Sequence, residues 1–196
     1  LYAYGGELGA NVNGLLKAET PDTYTVVYQK TGTELNRTTV TVKAPELKVL
    51  ASGWSGYTTW VLTSDGTLTV SPTAERYNGK CNMANYHKIN GVLTLPWSAY
   101  ADQITKVVIE EGVNAIGQMA FYGLTNLKEV VLADSVQDIR NYAFKGCESL
   151  TDINLGKVLV LREGAFYGCS SLTDVDYSGA VVIAEWVFSK TGVTYP

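Results

Sequence analysis

The sequence predicts a mainly β chain that winds into a solenoid of about four repeats, each 21–23 residues long. Four columns of positions predict it. Apolar residues open the successive copies at Ile104, Leu127, Leu150, Leu172 and Val193. Two further apolar columns follow at the same spacing, Val107, Val130, Ile153 and Val175, then Ile109, Leu132, Leu155 and Tyr177. A phenylalanine column completes the pattern at Phe121, Phe144, Phe166 and Phe188. A period in the low twenties indicates stacked structural repeats.

The repeat at residues 126–149 shows what each copy is expected to form. Alternation over Leu127–Leu132 predicts a short strand. A second extended piece ends at Ile139, and Gly146 closes a helical turn, where a positive φ is needed. No single repeat can bury its own apolar face, so neighbouring repeats must stack. We therefore predict that the phenylalanine column is buried.

These repeats resemble a known family in their letters as well as their spacing. The segments IEEGVNAIGQMAFYGLTNL, LADSVQDIRNYAFKGCESL and LGKVLVLREGAFYGCSSL are similar to the BspA-like leucine-rich repeats of bacterial surface proteins. The last copy, YSGAVVIAEWVFSKTGV, lacks the Gly-Cys and the Ala before Phe. The resemblance runs from about Ser52 to the C-terminus. It implies an extracellular or bacterial cell-surface location.

Residues 1–45 form the first predicted domain and have a different period. Thr23–Tyr28 and Thr38–Val42 alternate as strands, and their text is similar to the closing strands of bacterial immunoglobulin-like modules. Such a sandwich needs about seven strands, whereas three or four can be recognised here. The segment therefore resembles a small or truncated module. No signal-peptide pattern is visible, so we expect the chain to be a piece of a longer mature protein.

Residues 46–103 are predicted to hold a capping hairpin and an insertion, and residues 104–196 to hold the repeats. Asp65-Gly66 is a turn signal between two alternating runs. The hairpin over residues 52–70 resembles the cap that precedes such repeats, and Pro96-Trp97 matches the family text that follows it. The intervening residues 71–95 are longer than the resemblance implies.

Charge and composition restrict the partners. Only 17% of residues are charged and the net charge is −4, which argues against nucleic acid. No apolar run is long enough to span a bilayer, so no membrane insertion is expected in this fragment. His87 is the single histidine, and with Cys81 it offers two zinc ligands where three or four are needed. No phosphate-binding loop or serine-nucleophile motif occurs. We predict no enzyme activity, no metal and no cofactor.

Cys147 and Cys169 occupy equivalent positions, with Leu124 in the same column. Strand-like stacking would set them about 4.8 Å apart, so distance does not exclude a disulfide. The leucine in this column favours packing of two free thiols, because an unpaired cysteine behaves as a small apolar residue. Cys81 is expected to be unpaired.

Two groups of residues are candidate binding positions. Outward strand positions place Glu129, Asp152, Asp174 and Asp176 on one face. That face is a solvated acidic surface, a weak calcium site or a site for a basic ligand. The 71–95 insertion carries residue types enriched at interfaces, together with basic residues, at Arg76, Tyr77, Lys80, Tyr86, His87 and Lys88. The alternative is an elaborated cap that buries Tyr77 and Tyr86 against the first coil.

A third group lies near the C-terminus. Polar pairs in the second extended piece of early repeats are replaced by Leu159, Val160, Val181 and Val182 in later ones. We expect this patch to be covered by a second chain or by the last residues of the chain.

Together these features predict a non-catalytic binding or adhesion module. The resemblance implies a ligand among host proteins or glycans, engaged through the repeat surface or the 71–95 insertion. The alternative is a passive spacer that displays another domain of a longer surface protein.

Overall fold

The computed structural model describes residues 22–30, 33–42 and 46–194. These residues are mainly β, as predicted, and the helical element among them is the short 3₁₀ helix Ser98–Gln103. The chain divides into two compact units, Leu1–Glu46 and Leu47–Pro196. Each unit has its own sheets.

The first unit contains one described pair of strands. Strands β1 (Asp22–Lys30) and β2 (Thr33–Val42) are antiparallel, with a register shift after Tyr28. Both predicted strands lie within them, because their β-branched threonine and valine residues suit a pleated backbone. Any further strand of the predicted immunoglobulin-like module would fall outside the described residues, so that module stays a prediction.

The second unit is built from short strands. In chain order they are β3 (Val49–Ser55), β4 (Thr58–Thr63), β5 (Thr67–Pro72), β6 (Cys81–Asn82), β7 (Lys88–Ile89), β8 (Val92–Leu93), β9 (Lys106–Ile109), β10 (Val113–Ile116), β11 (Glu129–Leu132), β12 (Asp138–Ile139), β13 (Asp152–Ile153), β14 (Val160–Leu161) and β15 (Val182–Ile183). One sheet has the order β13-β11-β9-β5-β4-β3 and a second has the order β15-β14-β12-β10-β6. Strands β7 and β8 form a separate hairpin.

Successive repeats pair in parallel in both sheets. In the first sheet, Val130 lies opposite Val107 and Ile153. In the second sheet, Ile139 lies opposite Ile116 and Leu161. The partners are residues of the same sequence column, so the repeat register predicted from the spacing is confirmed.

The first sheet ends one repeat earlier than the columns predict. Residues 172–177 are not a strand, and Leu155 N donates a hydrogen bond to Asp176 O at 3.0 Å without starting a ladder. Nearby backbone N–H groups donate hydrogen bonds to side chains instead. Gly156 N donates to Asn154 Oδ1, and Ser178 N donates to Asp176 Oδ1. Such bonds compete with strand pairing.

An antiparallel meander of β3, β4 and β5 precedes the repeats. Its second turn lies at Asp65–Gly66, as predicted, and Gly66 has a φ of +84°. The Thr63 hydroxyl donates a hydrogen bond to the Asp65 carboxylate at 2.7 Å and lowers its pKa. Strand β5 then pairs in parallel with β9, with Val70 opposite Ile109. The hairpin therefore supplies the first rung of the parallel sheet.

An aromatic column runs through the second unit. The four phenylalanines stack with centroid distances of 5.1, 5.2 and 5.7 Å along the chain. Trp97 extends the stack at 5.4 Å from Phe121, and Trp60 meets Trp97 edge-on. Phe121, Phe144 and Phe166 are fully buried, and Phe188 is 7% exposed. The predicted column is confirmed, and Trp97 gives the segment before the repeats a place in it.

The turn after each phenylalanine depends on a left-handed residue. Gly123, Gly146 and Gly168 have φ values of +74°, +77° and +77°, which an L side chain rarely adopts. In the last copy Lys190 takes this conformation at +58°. The positive φ expected at Gly146 is therefore present.

Cysteine thiols lie beside these turns. Cys147 Sγ donates to Phe121 O and Cys169 Sγ donates to Phe144 O, both at 3.1 Å. Cys147 and Cys169 are free and buried, as predicted, and Cys81, predicted to be unpaired, is free and also buried. Burial raises the pKa of Cys147, which keeps its thiol protonated.

Truncating the centre of the aromatic column should destabilise the fold more than truncating its end. Phe144→Ala removes a ring stacked on both faces and is expected to lower the free energy of unfolding by about 3–5 kcal/mol. Phe188→Ala, the matched change at the partly exposed end, should cost less. Urea unfolding followed by circular dichroism measures both. Equal losses would contradict a continuous stack.

Candidate functional site

The predicted binding residues of the insertion begin at an exposed turn. Tyr77 and Lys80 exchange two backbone hydrogen bonds of 3.0 Å around Asn78 and Gly79. Arg76, Tyr77 and Lys80 are exposed. The Tyr77 ring is 61% exposed although it lies parallel to the Tyr57 ring at 6.3 Å. The cap interpretation, which buries Tyr77, is therefore wrong for this residue.

Tyr86 has a structural environment instead. Its ring packs edge-on against Trp97 at 6.1 Å, and its hydroxyl is 2.8 Å from Ser55 Oγ. Burial raises its pKa and the Ser55 hydrogen bond opposes the rise. Met83 is buried nearby in sequence. The cap interpretation holds for Tyr86, which packs against the core.

The hairpin β7–β8 projects an apolar tip. Asn90 and Gly91 both have positive φ, and Ile89 and Val92 pair across the strands while 75% and 63% exposed. Sequence reasoning missed this feature, although an Asn-Gly pair between apolar residues is a strong hairpin signal. Lys88 opens the hairpin.

The acidic positions do not converge on one site. Glu129 pairs with Lys106, whose Nζ is 2.7 Å from Glu129 Oε1. Asp152 follows Glu129 in the strand register, whereas Asp174 and Asp176 lie beyond the last strand of the first sheet. Among the described residues, no group of three or more His, Cys, Asp or Glu side chains could hold a metal ion. The exposed Lys106–Glu129 pair stabilises the sheet by at most about 1 kcal/mol.

A shallow cleft of about 330 Å³ lies at the end of the first sheet. Asp134, Asn154, Lys157 and Asp176 supply its polar lining. Hydrogen bonding to Ser178 lowers the pKa of Asp176, so its carboxylate is ionised at neutral pH. Lys157 places a positive charge in the same cleft, which disfavours a cation there.

A row of lysines and tyrosines crosses the turns of the repeats. We call Lys88, Tyr122, Lys145, Tyr167 and Lys190 the lysine–tyrosine ladder. Lys88 Nζ lies 4.8 Å from the Tyr122 ring centroid and 3.4 Å from its hydroxyl. Lys145 Nζ lies 5.9 Å from the Tyr122 centroid and 4.7 Å from that of Tyr167. Lys190 Nζ completes the row at 5.1 Å from Tyr167.

The ladder joins one predicted residue to four that sequence reasoning missed. Lys88 comes from the insertion, whereas Tyr122, Lys145 and Tyr167 each follow a phenylalanine of the buried column. That position reads Tyr, Lys and Tyr in the first three copies and Ser189 in the last, where Lys190 lies one position further on. His87, the neighbour of Lys88 in sequence, contacts Gln118 Nε2 at 3.1 Å through Nδ1.

Tyr167 and Lys190 of the ladder shift each other's pKa. Hydrogen bonding to Lys190 lowers the pKa of Tyr167, and the charge of Lys145 lowers it further. The same bond raises the pKa of Lys190. Beside the ladder, the Tyr142 hydroxyl bonds to Glu163, which raises the pKa of Tyr142.

The apolar C-terminal patch lies on the second sheet. Val160 and Val182 are register partners in β14 and β15. Leu159, Val181 and Val182 are 39%, 80% and 50% exposed, and Val160 is half-buried. The described residues up to 194 leave this patch open to solvent. No helix in the described part of the chain is long and apolar enough to cross a membrane.

Removing the hydroxyl of Tyr86 or of Tyr77 should show which of these two tyrosines contributes to the stability of the fold. Tyr86→Phe removes the part-buried hydrogen bond between the Tyr86 hydroxyl and Ser55 Oγ. This loss should lower the free energy of unfolding by about 0.5–1.5 kcal/mol. Tyr77→Phe is the matched control and should leave stability unchanged, because its hydroxyl meets solvent. Urea denaturation of both variants tests this, and the reverse order of stability would contradict the assignment.

Comparison with known proteins identifies the family of the chain. Residues 98–195 match the family model described as BspA type Leucine rich repeat region (6 copies). No curated protein matches the chain. Among solved structures, a leucine-rich repeat protein from Eubacterium ventriosum is similar at 22% identity and a TM-score of 0.45, over 67% of this chain and 37% of that one.

Two further structures are similar. The T. pallidum leucine-rich-repeat protein has 25% identity and a TM-score of 0.46, over 70% of this chain and 67% of that one. A leucine rich cell surface protein from Faecalibacterium prausnitzii has 23% identity and a TM-score of 0.38, over 78% and 48%. The chain thus spans less than half the length of the Eubacterium and Faecalibacterium proteins. Since the family match covers half of the 196 residues, the chain belongs to the BspA-type leucine-rich-repeat family.

Proposed function

We propose that this chain is a non-catalytic binding module of a secreted or cell-surface protein, which engages host proteins or glycans. Membership of the BspA-type family supports the proposal. The low charge content and the absence of a catalytic motif in the sequence agree with it. In this proposal the repeats are the framework that displays outward side chains to a ligand.

The proposed architecture is a solenoid of about four repeats with a capping hairpin at its first end. Parallel pairing of the same columns in two sheets supports the solenoid. The meander β3–β5 supports the cap, because it pairs with the first repeat through β5. We keep residues 1–45 as a proposed small or truncated immunoglobulin-like module. Residues 46–103 are the proposed capping hairpin and insertion, and residues 104–196 are the proposed repeat domain.

One observation carries the proposed function: the insertion and the repeats share a single exposed surface. Lys88 of the insertion contacts Tyr122 of the first repeat. Next to it, Ile89 and Val92 expose apolar side chains at a hairpin tip. Stacking constrains the core columns of a repeat protein, so outward positions and insertions are free to define a ligand. Apolar groups beside a cation suit both protein and glycan partners.

Deleting most of the insertion would be a poor test, because part of it belongs to the core. Strand β6 pairs in parallel with β10, and Cys81 and Met83 are buried. Substitutions confined to the exposed hairpin leave those contacts in place. Lys88, Ile89 and Val92 are the positions that meet this requirement.

A variant with Lys88→Gln, Ile89→Thr and Val92→Thr should lose the ligand while keeping the fold. The screen is an array of host extracellular proteins and glycans probed with the full chain. Removing two exposed apolar groups and a charge should weaken binding roughly a hundredfold. The control variant, Lys128→Gln with Val131→Thr, changes similar groups on the first sheet and should bind normally.

The opposite results have definite meanings. Loss of binding in the control alone would assign the site to the first sheet, which carries Glu129 and Asp152. An array with no ligand above background would contradict the binding function and support the passive spacer.

We also propose that the C-terminal patch mediates self-association. Leu159, Val181 and Val182 expose apolar surface beside the unpaired edge of β15. An exposed sheet edge with apolar neighbours is a template for pairing with another chain. Val160, the register partner of Val182, would lie in the same contact.

Changing Val181 and Val182 to threonine should shift the chain toward monomer. Each valine removed from water on association contributes about 1–2 kcal/mol, so dimerisation should weaken at least roughly tenfold. Sedimentation equilibrium measures it, with Val131→Thr on the other sheet as the control. A parent chain that stays monomeric at every concentration would rule out this contact.

A further inference from the structure

The lysine–tyrosine ladder arranges three positive charges in a line. Lys145 and Lys190 come from coils two apart, and Lys88 comes from the insertion that precedes the repeats. Phenylalanine rings of successive coils are 5.1–5.7 Å apart, so the turns that carry Lys145 and Lys190 are two coil spacings apart. Each neighbouring pair of ammonium groups contacts one shared tyrosine ring, that of Tyr122 or Tyr167, and the row follows the direction in which the repeats stack.

The three ammonium groups have no carboxylate partner among the described residues. Three other cations of the repeats do have carboxylate partners: Lys106 binds Glu129, and Arg140 and Arg162 both reach Asp138. The ladder lysines instead contact aromatic rings, at 4.7–5.9 Å from the Tyr122 and Tyr167 centroids. Their positive charge is not neutralised by the protein.

Aromatic contacts also fix where the charges are. A ring beneath an ammonium group attracts it and limits its rotamers. Lys145 is the most constrained, because it lies near the rings of Tyr122, Tyr142 and Tyr167. The one carboxylate bonded beside it, Glu163, is engaged by the Tyr142 hydroxyl. Side chains that are already ordered lose less entropy when a ligand binds.

Spacing and charge distinguish the classes of linear polyanion. An acidic peptide strand presents side chains on one face about every 7 Å, which does not match two coil spacings. Single-stranded nucleic acid carries a phosphate on every nucleotide, so some phosphates would meet tyrosine rungs instead of lysines. An extended glycan advances by about one coil spacing per sugar. A carboxylate on every second sugar then meets each lysine, and neutral sugars meet the tyrosine hydroxyls.

We propose that the lysine–tyrosine ladder is a binding site for a linear anionic polysaccharide that carries a carboxylate on every second sugar. This inference rests on the proposed binding function and names the ligand class for the turn surface of the repeats. Lys88 supplies one end of the site, Lys145 its centre and Lys190 its other end.

The test uses the full chain and an oligosaccharide of alternating glucuronate and N-acetylglucosamine. Isothermal titration calorimetry should detect binding that weakens with added salt, because exposed charges are screened. The same oligosaccharide with its carboxylates reduced to alcohols should not bind. An oligothymidylate of equal charge should bind more weakly than the acidic oligosaccharide.

Variants at the centre of the ladder test the residue assignment. Lys145→Gln should weaken binding roughly tenfold, the effect of losing one charge-assisted contact. Lys145→Arg keeps the charge and should restore most of the affinity. Lys157→Gln, which removes an exposed charge from the cleft at the end of the first sheet, should have no effect. Near-ultraviolet circular dichroism establishes that each variant keeps its aromatic packing.

Three results would overturn the inference: equal binding of the reduced oligosaccharide, equal losses in Lys145→Gln and Lys157→Gln, or tighter binding of the oligothymidylate. Failure to bind the acidic oligosaccharide would also overturn it. If the array nevertheless yields a protein or neutral-glycan ligand, the binding function stands and the ligand class assigned to the ladder falls. An array that yields no ligand would contradict the proposed binding function itself.

Discussion

The stacking of aromatic rings between coils is the interaction on which the rest of this structure depends. Trp97 and the four column phenylalanines form a continuous stack with spacings of 5.1–5.7 Å. A coil of a little over twenty residues has too little apolar surface to fold alone, so each ring is buried by its neighbours. Strand pairing in both sheets and the thiol contacts to phenylalanine carbonyls then follow from the same coil-to-coil distance.

The two ends of this stack are closed differently. At the first end, Trp60 lies edge-on to Trp97 and the meander covers the coil. Both indole nitrogens are buried without a hydrogen-bond partner in the described part of the chain, so ring packing there outweighs the cost of two unpaired donors. At the last end, Tyr177 tilts over Phe188 at 5.3 Å. Strand β15 is the last strand of the second sheet, so its outer edge is unpaired at this end of the described chain.

Because the rings must stack, some positions of each repeat are reserved for packing and others are free to contact a ligand. Inward columns are restricted to residues that fill the space between coils, whereas the positions just after each phenylalanine point away from the stack. Tyr122, Lys145 and Tyr167 occupy those positions, and one coil spacing separates each from the next. Equivalent positions of successive coils therefore form a row along the stack. Such a row suits an extended ligand better than a compact one.

The sequence by itself determined the repeat register, the buried phenylalanines and the free thiols, because side-chain period and burial are local properties of each copy. The tertiary structure alone decided that Asp174 and Asp176 lie beyond the last strand, where hydrogen bonds such as that from Ser178 to Asp176 replace the ladder. It also brought Lys88 to Tyr122, 34 residues away. Periodicity carries no information about the path of a non-repeating insertion. That contact depends on how residues 71–95 fold back across the first coil.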